Sequence, residues 1–123
     1  MWFMTTLGFF SVVCARRGDG GPGQPVDETR VMIRVRVKGH LDALRLRFPE
    51  QLGRVEILET TNSDYRWRLF CPKAVWATCV KALVEDVAYD NFKAECATAH
   101  GGGSPYLHAL HDTWTTFAKM RDH

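Results

Sequence analysis

The sequence predicts an α+β fold: a single, mainly antiparallel four-stranded sheet with helices packed on one face. The expected order is strand-strand-helix-strand-strand-helix-helix. Three observations carry this. In Val31–Lys38, Val31, Ile33, Val35 and Val37 alternate with Met32, Arg34, Arg36 and Lys38. A period of two puts branched residues on one face and cations on the other, the pattern of a half-buried strand. The stretch Lys73–Ala88 places Trp76, Cys79, Val80, Leu83, Val84 and Val87 along one helical stripe. Between them, Thr61-Asn62-Ser63-Asp64 is turn chemistry joining two strand-like segments, because short polar side chains satisfy local backbone groups.

The elements follow in order. Met1–Ala15 is apolar apart from Thr5, Thr6 and Ser11. Its charges, Arg16 and Arg17, come after the apolar run rather than before it, unlike a secretory signal. The run is also shorter than the ~20 apolar residues of a membrane span. A buried strand over Phe9–Ala15, behind an N-terminal extension at 1–8, is the expectation. Within that extension Met1, Trp2, Phe3 and Met4 either pack on the domain or form a patch for a partner. Residues 16–29 hold Gly18, Gly20, Gly21, Gly23, Pro22 and Pro25 and read as a flexible loop. Its glycines lack the spacing of a phosphate cradle, and Arg17-Gly18-Asp19 is a solvated turn.

After the basic strand, Leu41, Leu44 and Phe48 sit at helical spacing over His40–Phe48, with Pro49 as the stop. Val55–Thr60 and Tyr65–Cys71 form a hairpin. On the second of these, Tyr65, Trp67, Leu69 and Cys71 share one face, and Arg66, Arg68 and Phe70 the other. Pro72 suits a first helical position. Tyr89–Lys93 turns into a short helical piece, and Ser104-Pro105 opens a last helix striped by Leu107, Leu110, Trp114 and Phe117.

The chain has 123 residues, 46% of them hydrophobic and 24% charged, which fits one folded domain over 1–123 and not general disorder. Net charge is only +2, too mild to imply a nucleic-acid partner alone. Local charge is more telling: from Arg30 to Arg47 the sole acid is Asp42. Cys14, Cys71, Cys79 and Cys96 form no CxxC pair and read as free thiols of a reducing cytoplasm.

Five landmarks resemble those of a group of short bacterial, phage and plasmid proteins without assigned activity. They are SVVCARR (Ser11–Arg17), RVRVKG (Arg34–Gly39), ETTNSDYRWR (Glu59–Arg68), VAYDNFK (Val87–Lys93) and YLHALHDTW (Tyr106–Trp114). The Met1–Phe10 extension and the glycine-rich insertion at Gly18–Gln24 depart from that pattern. The resemblance implies a bacterial or mobile-element setting and no catalytic residue.

Four constellations are candidates for chemistry. The first is a basic face of Arg34, Arg36, Lys38, Arg66 and Arg68 with Phe70, or Trp67, beside it. Arginines neutralise phosphates and aromatics on a sheet stack bases. The plainer account is a solvated face with cross-strand pairs to Glu56 and Glu59. The second is His108, His111 and Asp112, weak candidates for a metal together with Cys96 or His100, and with them a metal-assisted hydrolase. The third is a Cys96–His100 or Cys71–His40 nucleophile, for which no oxyanion motif is visible. The fourth is the Tyr89–Lys93 turn, more simply a structural cap.

The expectation is therefore a small non-enzymatic protein, without cofactor, that docks a nucleic acid or nucleoprotein complex through the basic face. The alternative is a mobile-element inhibitor or adaptor, such as an anti-defence protein, that grips a host protein with Trp2, Phe3 and Tyr106. No membrane association is expected. Self-association as a homodimer stays open through the apolar N-terminus or a free strand edge.

Overall fold

The computed structural model describes residues 1–121, and the chain divides into two compact units, Met1–Val87 and Ala88–His123. The first unit is an α+β layer pair. Its strands are β1 (Trp2–Met4), β2 (Phe9–Arg16), β3 (Val26–Val35), β4 (Leu58–Glu59) and β5 (Trp67–Pro72). They form one open antiparallel sheet in the order β1-β2-β3-β5-β4. Its helices are α1 (Lys38–Arg47), α2 (Pro49–Leu52) and α3 (Lys73–Glu85).

The alternation in β3 holds through Val35 and fails at Val37, which lies past the strand's end, caps α1 and is exposed. Val31, Ile33 and Val35 are buried, and they join Phe10, Val12, Leu69 and Cys71 from the neighbouring strands. Leu41 and Leu44 of α1, Phe48, Leu52 of α2, and Trp76 and Cys79 of α3 close this core from one side. Fully burying each such aliphatic or aromatic side chain contributes roughly 1.5–3 kcal/mol. All three helices therefore lie on one face of the sheet, and the opposite face has no helix of this unit on it.

The sheet has five strands where four are expected. The extra one is β1, inside the segment read as an extension. Trp2, Phe3 and Met4 pair with Ser11, Phe10 and Phe9. A three-residue strand is too short to show a period, so its pairing is invisible until β2 is in place. Thr5 to Gly8 make the turn: Thr5 and Gly8 exchange backbone bonds of 2.9 and 3.2 Å, and the Thr5 hydroxyl donates to the Gly8 carbonyl.

Other boundaries shift for identifiable reasons. The 16–29 loop shrinks to residues 17–25, because β2 runs through Arg16 and β3 starts at Val26. The β2–β3 register jumps between Cys14 (opposite Val31) and Ala15 (opposite Asp27), a bulge that takes up Glu28, Thr29 and Arg30. Thr29 donates to Asp27 Oδ1 from its hydroxyl at 2.6 Å and its amide at 2.9 Å. These bonds hold the Asp27 carboxyl below its usual range. The expected Val55–Thr60 strand contracts to Leu58–Glu59, while Val55 and Ile57 turn to the core. Pro49 ends α1 and also opens α2, as a proline at a first helical position can.

The second unit holds α4 (Phe92–His100) and α5 (Pro105–Phe117). Both caps were legible. Asn91 Oδ1 accepts from the Ala94 amide and Ser104 Oγ from the Leu107 amide. Gly101 ends α4 at φ +88°, a left-handed value that a side chain would resist. Cys96 of α4 and Tyr106 and Leu110 of α5 are buried. His100 meets the Tyr106 ring edge-on at 5.0 Å.

Candidate functional site

Strand alternation sends Arg30, Met32 and Arg34 to the side of β3 away from the core. β5 adds Arg68 and Phe70 on that side. Register aligns them: Met32 lies opposite Phe70, and Arg34 opposite Arg68. The Arg34 row extends across the whole sheet, since Ser11 pairs with both Trp2 and Arg34, and Arg68 with Leu58. Trp2, Ser11, Arg34, Arg68 and Leu58 thus form one line across five strands.

Each arginine on this face is held by a specific contact. Arg34 Nη2 donates to Ser11 Oγ at 2.7 Å, which explains how a serine only 1% exposed is tolerated. Arg68 Nη2 donates to Ser63 Oγ and to the Tyr65 carbonyl, each at 3.0 Å. Arg68 Nη1 points at the Met32 sulfur at 3.2 Å. Tyr65 leans over β3, so that the Arg34 and Arg36 guanidiniums lie 4.5 and 4.7 Å from its ring centre. Arg30 lies 5.5 Å over Phe70. Such cation–π contacts contribute about 0.5–1 kcal/mol each where exposed.

What this face lacks is a counter-charge. Among the described residues the ion pairs are Lys38–Asp42, Arg47–Asp86, Arg66–Glu59 and Lys81–Glu85. None involves Arg30, Arg34, Arg36 or Arg68. Arg34 and Arg68 are like charges directly opposite one another, which is unfavourable. The Nε atoms of both are buried without a hydrogen-bond partner among the described residues. Burial, and then the charge of Arg34, depresses the Arg68 guanidinium below its ordinary value. The arrangement is a half-buried positive centre under an aromatic rim, and an anion is the group that would relieve it.

Other members of the expected basic face lie elsewhere. β3 ends at Val35, so Lys38 is the first residue of α1, not the end of a basic strand. Its ammonium is 3.2 Å from Asp42 and 6.0 Å from the Trp67 ring. Arg66 is bound to Glu59 at 3.1 Å and also lies over Trp67, at 5.4 Å. Lys38 and Arg66 therefore gather at Trp67, which packs against the core. The expected pairing to Glu59 occurs, at Arg66 only. Tyr65 does not share the face of Trp67, because it precedes the paired part of β5 and is free to fold back over Arg34 and Arg36.

The partner anchors separate too. Trp2 is 60% exposed on the arginine side, beside the Phe9 ring at 5.5 Å. Phe3, opposite the buried Phe10, faces the core and meets the Trp76 ring at 5.2 Å. Tyr106 is buried in the second unit. Neither Phe3 nor Tyr106 is an exposed anchor.

Three residues of the face escaped sequence reading. Arg30 was accessible by extending the alternation one step back from Met32. Tyr65 and Ser11 were not, because nothing local says that a loop tyrosine or a strand serine meets an arginine.

His108 and His111 are exposed on α5, and His111 stacks on Trp114 at 6.2 Å. No group of three or more His, Cys, Asp or Glu side chains among the described residues is placed to hold a metal. Cys71 and Cys96 are buried, and burial pushes both thiols up, away from the thiolate that a nucleophile or ligand needs. No helix among the described residues is long and apolar enough to cross a membrane. Compared with known proteins, the chain matches no family model, no curated protein and no solved structure.

Proposed function

We propose that this protein is a non-enzymatic binder of nucleic acid, alone or within a nucleoprotein complex, and that the arginine face is its docking surface. One observation carries the reading. Arg34 and Arg68 are opposed, half-buried and without a carboxylate among the described residues, and Arg30 and Arg36 flank them. A purely structural sheet face would balance such a row with acids, as Arg66 is balanced by Glu59. Phosphate supplies the missing charge, and guanidinium is the side-chain group best shaped to take it.

The test is a fluorescence-anisotropy titration with labelled DNA and RNA, single- and double-stranded, at about 50 and about 200 mM salt. Affinity should fall steeply with salt. The paired substitution Arg34→Ala plus Arg36→Ala should weaken binding and reduce the salt slope by roughly one to two. Absence of binding at the lower salt refutes the reading.

A second reading is favoured by Trp2 and Met1, which are 60% and 81% exposed at the sheet edge. An adaptor or inhibitor from a mobile element would seat that apolar corner on a protein partner. Binding to a host protein that ignores salt and is lost on Trp2→Ala would mark this case.

A further inference from the structure

We infer that the occupant of the arginine face is a single-stranded nucleic acid, whose unpaired bases stack on Trp2 and the rings beside it while its phosphates meet the arginines; this rests on the nucleic-acid reading above.

Three features separate a single strand from a duplex. The first is a chain of rings on the same side of the sheet as the cations. Trp2 is 5.5 Å from Phe9, and Phe9 is 6.5 Å from Tyr65. Tyr65 in turn touches Arg34 and Arg36. Aromatic rings offer a duplex little, since its base faces are already covered by stacking. They offer an unpaired base a platform of any sequence.

The second is depth. Arg34 and Arg68 lie recessed behind Tyr65, Met32 and Ser63, with buried Nε atoms. A rigid duplex reaches only the outer cations, Arg30 and Arg36. A flexible strand can bend a phosphate inward. The helices α1, α2 and α3 all pack on the other side, so the first unit offers a major groove no helix of its own on this face.

The third concerns reading of base edges. Of the hydroxyls on the face, Ser11 and Ser63 already accept from Arg34 and Arg68, which leaves that of Tyr65. Beyond it the face offers mainly charge and stacking, the combination of sequence-tolerant single-strand binders.

Trp2 is the residue to test, because it is exposed and its loss leaves the core intact. The probe is labelled oligothymidylate of roughly 16 nucleotides, a length spanning the site of a small single-strand binder. A duplex of equal length is titrated alongside at about 50 mM salt. The unsubstituted chain should bind the single strand at least about tenfold tighter than the duplex. Trp2→Ala should weaken single-strand binding about tenfold, or ~1.4 kcal/mol, with the salt slope unchanged. Trp2→Phe should keep most of the affinity, and circular dichroism should show both variants folded.

Equal or tighter duplex binding overturns the inference while leaving the nucleic-acid reading in place. So does full single-strand affinity in Trp2→Ala when Arg34→Ala plus Arg36→Ala abolishes it. Failure of every nucleic acid to bind defeats the earlier reading, and this inference with it.

Discussion

Replacing Gly8 by alanine puts a methyl group where the protein has no room. Gly8 closes the β1–β2 turn at φ +153°, outside the range an L side chain readily adopts. A Cβ built there would lie 2.3 Å from His40 Cγ, 2.6 Å from its Cβ and 2.7 Å from its Cδ2. These are not the far end of a flexible side chain. His40 is also fixed, because its Nδ1 accepts the Phe9 amide at 3.2 Å. Backbone strain of ~1–3 kcal/mol and overpacking of a similar size add to about 3 kcal/mol. For a unit of this size that lowers Tm by roughly 12–24 °C. It would also loosen β1, which places Trp2 on the arginine face. Thermal and urea unfolding followed by circular dichroism measure the cost. Gly23→Ala is the control: a Cβ there meets nothing within 4 Å, and the change should stay within about 0.5 kcal/mol. In a His40→Gly background, which removes the Cβ together with the ring, the penalty of Gly8→Ala should fall to about half, leaving the backbone part. A Gly8→Ala protein as stable as the parent would refute the reasoning. An equal cost with and without His40 would refute the contact as its cause.

Two further predictions concern protonation. Burial pushes the Cys79 thiol up to about 11, so at pH 8 its thiolate fraction is only ~10⁻³. The neighbouring Cys71 is raised for the same first cause. In the native protein neither should react with a disulfide reagent until the chain unfolds; rapid modification of both at pH 8 would show the core to be open. Arg47 binds Asp86 through bonds of 2.9 and 2.8 Å. That hydrogen bonding first, and the guanidinium charge after it, lowers the Asp86 carboxyl below 3.8. A depressed folded value means the link between α1 and the end of α3 supports stability above about pH 4 and is lost as pH falls through the folded value. Asp86→Asn should therefore flatten the acid limb of a stability-against-pH curve, with little effect on its shape above pH 6; an unchanged acid limb would show that Asp86 contributes nothing to it.

Period and punctuation are local properties, and they were readable. The β3 alternation put Val31, Ile33 and Val35 inside and Arg34 outside because successive strand side chains point to opposite faces wherever the strand lies. Ser104-Pro105 and Asn91 started helices because a cap needs only the backbone of the next turn. The helical stripe named its buried side at Trp76 and Cys79, while Val84 and Val87 at its far end are exposed, Val87 beyond the end of α3. The makeup of the arginine face depended on partners far apart in sequence. Arg34 meets Ser11 and Arg68 through register, which depends on the whole sheet packing at once. β1 is three residues long, so only β2 makes it a strand and carries Trp2 to the cations. Lys38 and Arg66 looked like members of the row by parity, yet β3 ends at Val35 and β5 begins only at Trp67, so both cations drift to Asp42, Glu59 and the Trp67 ring. Tyr65 reached the opposite side for the same reason. Parity holds only while a strand is paired, and where pairing stops is decided by the tertiary structure.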